Sequence, residues 1–96
     1  MTHLQEIEVE VGDHKFVLKP THKAIYKTLK AAKLGNRLED LIQELGHMNL
    51  EVMYIMFKEF SGSDLSIEEL MEISIPFDTL AAKLAECLGA VSVAKK

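Results

Sequence analysis

Residues 5–11, QEIEVEV, alternate without a break, with Ile7, Val9 and Val11 on one side and Glu6, Glu8 and Glu10 on the other. A period of two suits a strand with one face on a core and one in water, because successive side chains leave opposite faces. Gly12-Asp13 follow as a tight-turn pair, and in KFVLK the apolar Phe16 and Leu18 again share a face. The pattern predicts a β-hairpin over residues 5–19. A lone hairpin is marginal in water, so its apolar face must rest on something else.

After Pro20 the period changes to that of helices. Pro20 forbids a helix from running backwards through it. Thr21 can accept hydrogen bonds from the free N–H groups of a helix start. Ile25, Tyr26, Leu29 and Ala32 form the expected buried face of this helix, and Lys23, Lys27 and Lys30 its wet one. Gly35-Asn36 is the expected stop, since both residues tolerate the left-handed conformation. RLEDLIQELG spaces Leu38, Leu41, Ile42 and Leu45 as a second helix ending at Gly46. Asn49 is placed to cap a third. Ser66 and Glu69 form a capping-box pattern ahead of a helical turn over 67–73, which Pro76 ends. In FDTLAAKLAECLG, Phe77, Leu80, Ala81, Leu84 and Leu88 fall on one face, and Gly89 is the expected end. The expected architecture is α+β but mostly α: an N-terminal β-hairpin followed by a bundle of four or five short helices. One globular domain would span 1–90, with the hairpin at 5–19 and the helical part at 21–89, and 91–96 would be a frayed tail.

The third helix, NLEVMYIMFKEF at 49–60, does not fit the usual surface pattern. At about 100° per residue, Leu50, Val52, Met53, Tyr54, Met56, Phe57 and Phe60 sweep roughly 200°, where one core contact needs only about 100°. Ile55 lies outside that arc, beside Glu51, Lys58 and Glu59. Core burial between the hairpin and the other helices accounts for most of such an arc. A partner held on the remainder accounts for the rest, and the adaptable thioethers of Met53 and Met56 suit that use. The expected partner surface is therefore Leu50, Met53, Met56, Phe57 and Phe60, with Met48 and Tyr54 at its edge. The stretch is too short, and too interrupted by charge, to cross a membrane.

Composition narrows the chemistry. The chain has 96 residues, 48% hydrophobic and 27% charged, with a net charge of −4. That is the balance of a small globular domain, and an acidic one is poorly suited to general nucleic-acid binding. The charge is unevenly spread. No acid occurs from His14 to Arg37, a segment that carries Lys15, Lys19, Lys23, Lys27, Lys30, Lys33 and Arg37. Lys23, Lys27 and Lys30 make a candidate face for an acidic partner, or for an acidic face of a second copy. A plain solvated face is the simpler reading, and phosphate gripping is the third. The single Cys87 forms no internal disulfide and fits a reducing compartment. The N-terminus lacks the basic and apolar regions of a signal peptide.

His3, His14, His22 and His47 show no metal-ligand spacing. Cys87 has an acidic neighbour, whereas a reactive thiolate favours a cationic one. GSDLSIEEL lacks the alternating oxygen ligands and central glycine of a calcium loop. No phosphate-cradling glycine loop is present. Neither catalysis nor a metal or other cofactor is expected.

The segment IEVEVGDHKFVLKPTHKAIYKTLKAA carries a resemblance. With Val9, Val11, Gly12, Phe16, Leu18 and Thr21 in place and a helix starting near the threonine, it resembles the start of the small phage tail assembly chaperones, in particular the gene-transfer-agent-like group. The quotable part covers residues 7–32, and the layout of short helices continues it. His22 departs from the pattern, which often has a large apolar residue there.

The resemblance implies a non-enzymatic role in assembling a long phage tail. Such proteins are thought to coat the tape measure protein and keep its apolar helical segments soluble until tail tube protein polymerises around it. They are then displaced. The implied location is the cytoplasm of the bacterial host, not the mature virion. Two other readings stay open on the sequence: a minor tail or connector protein retained in the particle, and a small DNA-binding regulator using residues 19–37.

Overall fold

The computed structural model describes residues 6–35 and 37–93. Strands β1 (Ile7–Val11) and β2 (His14–Leu18) are followed by helices α1 (His22–Ala31), α2 (Leu38–Gly46), α3 (Leu50–Ser61), α4 (Ile67–Ile73) and α5 (Phe77–Val93). The chain is thus the expected hairpin followed by five helices, an α+β fold that is mostly α.

The strands pair antiparallel, Ile7 opposite Leu18 and Val11 opposite His14. Gly12 turns the chain at φ 58°, a left-handed backbone that glycine adopts without strain. The alternation does its expected work: Ile7, Val9 and Leu18 are buried while Glu6, Glu8 and Glu10 stay in water.

Three of the helix starts are made by the side chains expected. The Ala24 N–H donates to Thr21 Oγ1 at 3.0 Å, and the Val52 N–H to Asn49 Oδ1 at 3.3 Å. At α4 the Glu69 N–H donates to Ser66 Oγ while the Ser66 N–H donates to Glu69 Oε1, the reciprocal pair of a capping box.

The ends differ. Helix α1 stops at Ala31, ahead of Gly35-Asn36, because Lys33 takes the left-handed position at φ 60°. The Lys33 N–H then reaches Lys30 O and the Leu34 N–H reaches Leu29 O, which satisfies the last carbonyls. Met48 closes α2 in the same way at φ 57°, with the Met48 N–H on Leu45 O and the Asn49 N–H on Glu44 O. Helix α5 continues through Gly89 to Val93, so the frayed tail expected over 91–96 is helical as far as Val93. Residues 94–96, like 1–5 and 36, lie outside the described residues.

Helix α3 is the centre. It packs against α1, α2, α4, α5 and β2. Met53, Met56 and Phe57 are fully buried, and Val52, Tyr54, Ile55 and Phe60 nearly so. The Phe57 ring meets the Phe16 ring of the hairpin edge-on, with centroids 4.9 Å apart, a geometry aromatic quadrupoles favour. The Lys19 N–H donates to Phe60 O at 2.9 Å, tying the exit of β2 to the last turn of α3.

Phe57→Ala would empty the position where hairpin and helices meet. The expected loss is about 3–5 kcal/mol, a large share of the 5–15 kcal/mol typical of a domain. Urea unfolding followed by circular dichroism measures it.

Candidate partner-binding surface

The structure corrects the surface expected on α3. Met53, Met56, Phe57, Phe60 and Tyr54 are core residues and offer a partner almost nothing. Ile55, expected on the wet side, is buried as well. The wide arc is consumed by neighbours on nearly every side. Of the apolar residues expected to hold a partner, Leu50 and Met48 alone remain exposed, at 39% and 47%.

Leu50 is not isolated. At the start of α3 it joins Tyr54, Met71, Ser74, Ile75, Pro76 and Phe77 around an open apolar groove of about 340 Å³. The groove lies where the first turns of α3 meet the elbow between α4 and α5. Three local features build it. Asn49 starts α3 and leaves Leu50 at its mouth. Ser74 takes a left-handed backbone at φ 58° and turns the chain sharply out of α4. Pro76 then precedes α5, whose first residue, Phe77, stands 57% exposed. Phe77 was expected in the buried face of α5. That face starts at Leu80 and continues through Leu84, Cys87 and Leu88, because no described residue covers Phe77. Apart from Leu50 and Tyr54 the groove residues were missed as a site, since an apolar residue in an amphipathic stripe reads as core.

Carboxylates border this groove. Met71 and Ser74 also line a neighbouring recess whose other walls are Glu68 and Glu72. Glu69 is committed to the cap of α4. The Glu68 and Glu72 side chains have no hydrogen-bond or ion-pair partner among the described residues. Lys58 gives its Nζ to the carbonyls of Ser63 and Leu65 instead.

The lysines of α1 are in water, as expected of its wet face, and a tyrosine joins them. Lys23, Lys27 and Lys30 are all exposed on α1, with no ion-pair partner among the described residues. Tyr26, expected to be buried, is 54% exposed among them, and Lys30 Nζ lies 5.6 Å from the centre of its ring. Residues 23, 26, 27 and 30 follow the i, i+3, i+4, i+7 spacing of one helical stripe. The buried stripe is Ala24, Ile25, Thr28 and Leu29 instead. Thr28 belongs there because its hydroxyl donates to Ala24 O at 2.8 Å.

Among the described residues no group of three or more His, Cys, Asp or Glu could hold a metal ion, and no helix is long and apolar enough to cross a membrane. Cys87 lies within α5, fully buried, and burial first, then the charge of Glu86, raises its thiol from 9.0 to about 12. No family model, curated protein or solved structure matches the chain.

The buried thiol makes two measurable statements. In the folded protein Cys87 should resist a thiol reagent at pH 8 and react at once in denaturant. Because the folded pKa lies above the unfolded one, the unfolded chain loses its proton first as pH rises. The Cys87 contribution to stability is therefore intact below about pH 9 and falls between pH 9 and about 12. Denaturant midpoints of the wild type and Cys87→Ala, compared across that range, read the difference.

Proposed function

We propose that this protein is a tail assembly chaperone, a binding protein rather than an enzyme, that holds apolar helical segments of a tape measure protein during tail morphogenesis. The observation that carries this reading is the open apolar groove between Leu50 and Phe77, with Met48 exposed close by in sequence. An amphipathic helix lays its apolar side chains into such a groove. Clustered exposure of large apolar side chains is a cost that a small domain avoids unless a partner uses it. The resemblance over residues 7–32 supplies the identity of the client, and the hairpin and capped α1 of that segment are features of this fold.

The groove also suits a transient holder. It is short and open at its mouth, so a client gains a few apolar contacts without being enclosed. Tail tube subunits could then displace the chaperone by offering the tape measure protein a larger surface. The proposed place of action is the host cytoplasm, and the protein would leave before the particle is complete.

Co-purification with the cognate tape measure protein tests the reading. Phe77→Asp and Leu50→Asp should each reduce capture at least tenfold. Both side chains are exposed, so the melting temperature should shift by no more than a few degrees. Absence of capture by the wild type, or capture indifferent to both substitutions, sinks the proposal. So does recovery of the protein from purified virions by mass spectrometry in stoichiometric amounts, which would make it a structural component.

A further inference from the structure

Two surfaces of this chain are left unsatisfied, and they match. The outer stripe of α1 carries Lys23, Lys27 and Lys30 around an exposed tyrosine. Lys23 and Lys27 stand four residues apart, and Lys27 and Lys30 three, so like charges face each other along the helix. Lys23 also lies in the first turn, which holds no acid, where the helix dipole disfavours a cation. The rim of the groove repeats this with the opposite sign. Glu68 and Glu72 stand four apart on α4 without a cationic partner among the described residues. Glu72 lies in the last turn of α4, which has no basic residue, where the dipole disfavours an anion. Each like-charged pair slightly weakens the isolated fold.

We propose that the groove of one copy takes the outer face of α1 from a second copy, with Tyr26 entering between Leu50 and Phe77 and the flanking lysines meeting Glu68 and Glu72. An aromatic ring with a polar tip suits a groove whose wall includes Ser74 as well as apolar side chains. The lysines would bring positive charge to carboxylates that have no ion-pair partner among the described residues. The contact is heterologous: the surface given by one copy differs from the surface that receives it. It is small, one helical stripe against one groove, so it is weak and exchanges readily. It rests on this charge and shape match and not on the identity of any client. A client bound in the groove would compete with it.

The contact separates into two halves that can be removed one at a time. Tyr26→Ser deletes the inserted ring and leaves the groove. Phe77→Ser deletes a groove wall and leaves the ring. Both positions are exposed, so both variants should fold, as far-ultraviolet circular dichroism checks.

In sedimentation velocity the wild type should associate as its concentration rises, and raising salt from 50 to 500 mM should weaken the association about tenfold. Each variant alone should be monomeric. Their equimolar mixture should form a one-to-one dimer, since one partner supplies the ring and the other the groove. Lys27→Glu should abolish self-association, and mixing it with Glu72→Lys should restore it. A wild type that stays monomeric at millimolar concentration overturns the proposal. So does association that survives both serine variants, or that fails to return on mixing. Because none of these readouts involves a tape measure protein, their failure leaves the chaperone reading standing, and failure of capture leaves the self-contact standing.

Discussion

Phe57 sits at the middle of α3 with its ring edge-on to that of Phe16, and this contact joins the two unlike parts of the molecule. The hairpin cannot stand alone in water. It persists because Ile7, Val9, Phe16 and Leu18 find an apolar partner in the helical half. The helices depend on the same core in turn. Helices α1 to α4 have only seven to twelve residues, and helices of that length are marginal by themselves. They hold because each lays a stripe against α3 or against a neighbour that does. That is why α3 is apolar on nearly every side. Its pattern records five neighbouring elements rather than one.

Features with a local physical cause were legible in the sequence. The alternation of β1 and the caps at Thr21, Asn49 and Ser66 depend on residues within a few positions, and a sequence displays those directly. Features decided by what packs where were not. Ile25 and Tyr26 are adjacent apolar residues, and only the direction from which α3 approaches decides that Ile25 is buried and Tyr26 exposed. Ile42 beside Leu41 is the same case on α2, at 45% exposed against complete burial. Helix ends show the limit again. Gly35 looked like the stop of α1, but the left-handed position fell on Lys33 once Leu34 could close back onto Leu29. Gly89, which looked like a stop, lies inside α5, where packing of Leu84, Cys87 and Leu88 offsets the modest preference of glycine for helix ends.

The candidate surface was half legible for a related reason. The width of the α3 arc rightly indicated more apolar contact than one neighbour provides. It could not say that the extra neighbours lie within the same chain. The residues left over are at helix beginnings. Leu50 and Phe77 each open a helix whose later turns are buried, so each continues an apolar stripe past the point where the core stops. A groove between two such beginnings arises where three helices converge and none extends far enough to cover it. Met48 and Ser74, at the two turns flanking this region, hold left-handed backbones that glycine would hold more cheaply, by about 1 kcal/mol each. At Ser74 the hydroxyl offsets part of this by sharing its one proton between Met71 O and Glu72 O. At Met48 no side-chain bond does so among the described residues, which leaves its exposed thioether as the group that distinguishes it from glycine.

Charge gives the same surfaces a direction. With a net charge of −4, a random spread would place acids throughout, yet α1 has none and α4 has no base. Segregation of this kind does little for the fold, because exposed charges contribute little to stability and like charges on one helix subtract from it. Its effect falls on encounter. On the proposed reading, a basic stripe and an acidic rim on the same molecule would orient an approaching copy, or an approaching client, before any apolar contact forms. The groove would supply the attraction at close range, and Glu68 and Glu72 would bias what reaches it. A helix that presents an apolar side chain flanked by lysines would be favoured over one flanked by acids, whichever chain it belongs to. Anything binding there would have to satisfy both the groove and its rim.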